Sequence, residues 1–156
     1  MVTSSADQRR AADQRRAVDR RCAAARRIRA GADFKRCQQG GRRVHTAHFV
    51  WLVYARGDAA PARLGLVVSR RVGCAVRRNR VKRLLREVFR ARSWPVGLDL
   101  VVIAKAPPPT LGLAEVQAEL ARCIPELERR LHQAEADARK RAAALPPARE
   151  AADNRG

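Results

Sequence analysis

The sequence predicts an α+β protein: a single sandwich of one four-stranded sheet with helices packed on it, in the order α-β-β-β-α-β-α. Three observations predict it. Apolar runs at residues 47–55, 62–69 and 98–104 are strand-sized and rich in β-branched or aromatic residues. Residues 74–91 instead repeat their apolar positions at helical spacing. Gly40-Gly41, Gly57-Asp58, Trp94-Pro95-Val96-Gly97 and Pro107-Pro108-Pro109 punctuate these segments. At 156 residues the chain has the length of one domain with a modest core.

The elements follow in order. Residues 1–26 repeat Asp7-Gln8-Arg9-Arg10-Ala11 as Asp13-Gln14-Arg15-Arg16-Ala17, a six-residue period that matches no helix face. With little beyond Val2 and Val18 to bury, this segment reads as a disordered basic extension. Residues 31–39 form a short helix stopped by Gly40-Gly41. Residues 42–45 form a short strand, and 47–55 form a longer one. Alternation divides the longer strand into Phe49/Trp51/Val53 and Val50/Leu52/Tyr54, and the sequence leaves open which set faces the core. A loop at 56–61 leads into the strand at 62–69. The helix at 74–91 then crosses back, and the buried strand at 98–104 completes a βαβ unit. After the prolines, Thr110 is placed as the cap of a last helix running to about Gln133. Residues 134–156 read as a fraying helix and a disordered tail. The folded domain is thus placed at residues 27–133.

The charge is extreme. Lys and Arg number 34 against 15 Asp and Glu, a net +19. Such an excess implies a polyanionic partner. No run approaches the roughly 18–20 apolar residues that span a bilayer. The basic start lacks the apolar stretch of a secretory signal. The expectation is a cytoplasmic protein with no membrane association. The cysteines, at 22, 37, 74 and 123, contain no CxxC pair, so metal or redox chemistry of that type is not indicated.

Residues 70–92 hold ten basic residues and one acid, Glu87. Helical geometry sorts them. Val81, Leu84, Leu85 and Val88 form an apolar stripe, while Asn79, Lys82, Arg83, Arg86 and Arg90 form the opposite stripe. Arg78 and Arg80 flank that basic stripe, and Arg77 falls at its rim. Arg70 and Arg71 precede the helix, whose N-terminal amides and dipole also favour anions. Like charges four apart cost a few tenths of a kcal/mol per pair, tolerable if the face meets phosphates.

The segment Val72-Gly73-Cys74-Ala75-Val76-Arg77-Arg78-Asn79-Arg80-Val81-Lys82-Arg83-Leu84-Leu85-Arg86-Glu87-Val88-Phe89-Arg90 closely resembles the signature of the bacterial ribonuclease P protein family. Arg78-Asn79-Arg80 matches its Arg-Asn-Arg core. The likeness extends upstream through Leu66–Arg71 and to Arg27-Ile28, Asp33-Phe34 and Gly41, covering roughly residues 26–133. The resemblance implies an α-β-β-β-α-β-α fold with a left-handed crossover, where general rules favour a right-handed one. It implies a partner, the catalytic RNA subunit, with one protein per RNA, and a substrate, precursor tRNA, whose 5′ leader is removed. It implies Mg2+ held through the RNA, and no catalytic residue in the protein. The RNA-binding residues would be Arg70, Arg71, Arg78, Asn79, Arg80, Lys82, Arg83, Arg86 and Arg90. A cleft between the sheet and the first helix would hold the leader, with Phe34 stacking and Lys35 and Arg27 on phosphate.

Some positions depart from the family pattern. Cys74 stands where many members have Asn, a better helix cap. Gln38 and Leu52 stand where aromatics are common, which weakens stacking in the cleft. The main rival reading is a ribosomal or ribosome-associated basic protein. A DNA-compacting protein or a self-sufficient nuclease fits less well, the last because no acidic metal-ligand cluster stands out.

Overall fold

A computed structural model describes residues 24–106 and 110–145. Most of the proposed N-terminal extension, the Pro107-Pro108-Pro109 break and residues 146–156 lie outside the described residues. The elements are α1 (Gly31–Gly40), β1 (Arg42–His45), β2 (Phe49–Ala55), β3 (Arg63–Val67), a 3-10 turn at Arg70–Val72, α2 (Ala75–Arg90), β4 (Leu98–Ala104) and α3 (Leu113–Ala144). The order is the predicted one. The strands lie as β1-β2-β4-β3, with β3 parallel to β4 and the other pairs antiparallel. Helix α2 therefore makes the crossover between two adjacent parallel strands.

Strand alternation gives the sheet two faces, each with its own core. On one face Phe49, Trp51 and Val53 of β2 join Leu98, Leu100 and Val102 of β4 beneath α2 and α3. On the other, Leu52 and Val101 meet Ile28 and Cys37, with Phe34, Tyr54, Val67 and Ile103 packed around them. The result is three layers, with α1 on one side and α2 and α3 on the other. The open question for β2 is resolved: Phe49/Trp51/Val53 face the larger core and Val50/Leu52/Tyr54 face α1. Strand β2 begins two residues later than predicted. The amide of Thr46 donates to the Phe49 carbonyl at 2.9 Å, which makes residues 46–49 a turn, and the Thr46 hydroxyl lies 3.0 Å from the same carbonyl.

The last helix departs most from expectation. Its cap is not Thr110 but Gly112, whose amide donates to the Glu115 carboxylate at 2.8 Å, and Leu111 is buried just ahead of it. The helix also runs to Ala144, well past Gln133. Residues 134–144 have few large apolar side chains, which is why they read as a tail. Their alanines are strong helix formers, and their small size lets the helix lie close to the sheet. Ala134 is buried, and Ala138 packs on the larger core. Asp137 accepts from the Arg42 guanidinium at 2.7 and 3.0 Å.

Two buried carboxylates tie the layers together. Asp99 of β4, only 1 % exposed, accepts two hydrogen bonds from Arg63 at 2.8 and 2.7 Å and pairs with Arg56 as well. Arg63 also reaches Asp33 of α1 at 3.3 Å. At the other end of the sheet, Glu119 of α3 accepts from the His48 amide at 2.8 Å and faces its Nδ1 at 2.7 Å. Burial pushes the Glu119 carboxyl up, but hydrogen bonds from Thr46 and from the amide and ring of His48 outweigh it and hold it below its ordinary 4.5. Because the folded value is the lower one, Glu119 contributes stability that is present above about pH 4.5 and is lost as pH falls further. In urea titrations, Glu119→Gln should therefore lose stability near neutral pH and show a shallower decline below pH 4.5. An acid limb identical to that of the unsubstituted protein would refute this assignment.

Candidate nucleic-acid interface

The sorting of α2 holds in three dimensions. Val81, Leu85 and Val88 are buried and Leu84 packs at their edge. Phe89, absent from the predicted stripe, is also buried: it stacks on Trp94 at 5.5 Å and takes the Arg26 guanidinium over its ring at 5.2 Å. Asn79, Arg80, Arg83 and Arg90 are exposed, and Arg78, Lys82 and Arg86 are half-buried. Among the described residues, none of Arg70, Arg71, Arg78, Lys82, Arg83, Arg86 and Arg90 pairs with a carboxylate. Arg42, Arg56, Arg63, Arg92, Arg129 and Arg130, elsewhere in the molecule, all do.

The loop before α2 explains how Arg70 and Arg71 are held. Val72 is buried as an anchor, and the Gly73 amide donates to the Arg70 carbonyl at 3.1 Å, closing the 3-10 turn. Gly73 has φ 134°, a conformation suited to glycine. A Cβ there would lie 2.9 Å from Cδ of Arg77, so the Arg77 side chain folds back over the loop, at the rim as predicted. Arg70 and Arg71 stay exposed beside the helix start. Cys74, the N-cap residue, makes no capping hydrogen bond with its neutral thiol. Backbone amides, those of Arg77 and then Val76, lower the Cys74 thiol below its ordinary value.

Two further observations describe the electrostatics of this face. The Arg78 Nε is buried without a hydrogen-bond partner among the described residues, a costly state for a guanidinium N–H. The charged form of Arg86 is disfavoured by burial and then by the nearby charges of Arg27 and Arg90, which lowers its pKa. Arg27 thus lies with the basic helix and not with Phe34, where the sequence placed it. The reason is register. Arg27 bridges to Leu64, whose side chain belongs to the core under α2, while Ile28 goes to the α1 side.

The cleft between α1 and the sheet has a definite shape. Cys37 of α1 points at the sheet and is fully buried. On one flank, Asp33 and Arg36 turn toward Arg63 and Gly40 meets the Tyr54 ring. Phe34 and Gln38, four residues apart, take the other flank. That flank overlooks a row of register partners, Val67–Ile103–Val50–His45, which runs across all four strands. Four strands at the usual spacing span about 14 Å. Phe34 lies half-buried at one end of this floor. A Cβ on Gly65 would stand only 2.8 Å from its ring, so glycine is required beneath it. Lys35 is exposed on the outer side of α1 and does not overhang the floor.

Three further polar residues on this side escaped the sequence reading. Arg43 and His45 point to the cleft face from the edge strand, and Arg43 donates to the Gln38 carbonyl at 3.3 Å. Lys105, two residues beyond Ile103 and thus on the same face, donates to the Thr46 carbonyl at 2.6 Å. Carrying the strand alternation one step past residue 104 would have found it.

A one-sided cationic helix, a helix N-terminus beside Arg70 and Arg71, and an apolar trough define an α+β protein suited to a polyanionic partner. Comparison with known proteins agrees. The Ribonuclease P family model matches residues 23–128. The ribonuclease P protein component of Desulfovibrio desulfuricans is 46 % identical over 111 residues, covering 67 % of this chain and 84 % of that protein. That of Staphylococcus epidermidis is 36 % identical over 94 residues, covering 60 % and 82 %. The RNase P protein structure from Staphylococcus aureus superposes with a TM-score of 0.60 at 33 % identity, covering 65 % of this chain and 94 % of that one. The Thermotoga maritima structure gives 0.56 at 33 %, covering 66 % and 96 %. The chain belongs to the ribonuclease P protein family. Membership places it in tRNA processing, as a component of a ribonucleoprotein endoribonuclease, and removes the ribosomal reading.

Proposed function

We propose that this chain binds the catalytic RNA of ribonuclease P through α2 and the loop before it, and holds the 5′ leader of precursor tRNA in the α1 cleft. The observation that carries the reading is the basic face: among the described residues Arg70, Arg71, Arg78, Lys82, Arg83, Arg86 and Arg90 pair with no carboxylate, and the Arg78 Nε is buried without a hydrogen-bond partner. Phosphates would complete it. Arg70 and Arg71 would grip the RNA beside the helix terminus, while Arg78, Asn79, Arg80, Lys82, Arg83, Arg86 and Arg90, joined by Arg27, would follow its backbone. In the cleft, the leader would lie on Val67, Ile103 and Val50 with Phe34 against a base. Lys105 would reach its phosphates, with Lys35 further out.

On this reading the protein positions and does not cut. Among the described residues no three His, Cys, Asp or Glu side chains converge as metal ligands. The Mg2+ ions that activate water for phosphodiester hydrolysis, leaving a 5′-phosphate, would be held by RNA phosphates. The protein's cations would shape those phosphates from outside. One protein per RNA and a cytoplasmic site of action complete the proposal. No described helix is long and apolar enough to cross a membrane.

Reconstitution tests the whole reading. Purified protein, catalytic RNA and precursor tRNA are combined at low Mg2+. Cleavage at the mature 5′ end should require the RNA and be stimulated by the protein. Cleavage by protein alone, or no stimulation at any protein concentration, would reject it.

A further inference from the structure

The end of α3 reaches round the sheet to the cleft side. Residues 129–144 lie beyond the part of the chain that matches the family model. In this stretch Leu131, Ala134 and Ala138 pack on the larger core, but Arg141 does something different. Its Nη2 donates to the Ala55 carbonyl, the last of β2, at 2.7 Å, and its guanidinium sits 4.7 Å above the Tyr54 ring. Tyr54 belongs to the α1-side core. The same ring abuts the last residue of α1, lying 3.3 Å from where a Gly40 Cβ would stand. A continuous chain of contact therefore runs from α3 through Arg141 and Tyr54 to the C-terminal end of α1. The Arg42–Asp137 pair fixes the helix against β1 one turn earlier.

We infer that Arg141 is a positioning residue for the cleft, setting the seat of α1 over the sheet through the ring of Tyr54. The need for such a device follows from the packing. Helix α1 rests on a small core of four buried residues, Ile28, Cys37, Leu52 and Val101. Its N-terminal half is held by Asp33 on Arg63 and by Phe34 on Gly65. Its C-terminal half carries Gln38, the polar part of the cleft wall, and depends on Arg43 and the Tyr54 ring. The consequence for leader binding rests on the cleft assignment proposed above.

Cys37 reports the seat of α1 independently of any RNA. Its thiol is fully buried under the helix, and burial pushes its pKa up to about 11, so it should label slowly. Cys123, in the other core and likewise raised to about 11, reports global unfolding. In the full chain, Arg141→Ala should speed alkylation of Cys37, read by peptide mass spectrometry, by about fivefold, the size expected for losing a cation–π contact. Cys123 should not change, and Arg141→Lys should restore most of the protection. In the holoenzyme, Arg141→Ala should weaken binding of precursor tRNA with a leader by a similar factor and leave binding of leaderless tRNA unchanged. Unchanged Cys37 labelling, or a parallel rise at Cys123, would overturn the inference. Faster Cys37 labelling with unaltered leader binding would sustain the mechanical link and reject the cleft as the leader site.

Discussion

Replacing Arg83 and Arg86 together by alanine is expected to weaken the complex with the catalytic RNA by about two orders of magnitude or more at moderate salt. A hydrogen bond to a charged group contributes about 1.5–3 kcal/mol, and each substitution removes at least one such contact. Among the described residues neither side chain pairs with a carboxylate, so little native stability should be lost with them. The salt dependence separates this from a folding defect. Each phosphate contact contributes roughly 0.7–0.9 to the slope of log K against log salt, so the double variant should flatten that slope by about 1.5. Arg83 is the more exposed and should act through the RNA alone. Arg86 has a second effect: its removal relieves Arg27 and Arg90 of a like charge. The free protein carrying Arg86→Ala should accordingly be no less stable than the parent. Equal binding slopes in parent and double variant would exclude α2 as the RNA face.

The second large effect concerns the fold. Asp99→Ala should destabilise the protein by about 3–5 kcal/mol, the range for removing one partner of a buried ion pair. The substitution removes the buried carboxylate that Arg63 and Arg56 share, leaving Arg56 with the exposed Asp58 and Arg63 with only the 3.3 Å contact to Asp33. It also frees Arg63 from the geometry in which it holds Asp33 of α1. Asp99→Asn keeps the shape and loses the charge, and should fall between the two. Urea unfolding measures all three, and a loss below about 1 kcal/mol for the alanine variant would show that water satisfies the arginines.

What the sequence made legible was what periodicity encodes. The strand at 98–104 and the helix around Ala75–Arg90 were bounded almost to the residue, because period and punctuation agreed there. The basic face was legible for the same reason: one helix carries its own sorting rule. What depends on partners far along the chain was not legible. Asp99 sits inside an apolar run, and nothing local announces that Arg56 and Arg63 come to meet it. Arg27 was placed with its sequence neighbours in the cleft, whereas a single bridge to Leu64 turns it to the other face. Periodicity alone ends the final helix early because alanine carries little hydrophobic signal, although it suits a close approach. The cleft was legible only in part. Phe34 could be picked out, but Lys105, Arg43 and His45 acquire their place from the pairing of strands that lie far apart in sequence.

The short bridge at residues 26–28 also bears on how such a cationic chain behaves before it meets RNA. The Leu64 amide donates to the Arg26 carbonyl at 2.8 Å, and the Ile28 amide donates to the Leu64 carbonyl at 3.0 Å, both on the outer side of β3. At the opposite margin, β1 carries Arg42 and Arg43 and has α3 fastened beside it by Asp137. Neither margin of the sheet is left as a bare, flat strand on which a second molecule could extend the ladder. Newly made copies should then repel one another by charge and find no strand to add to.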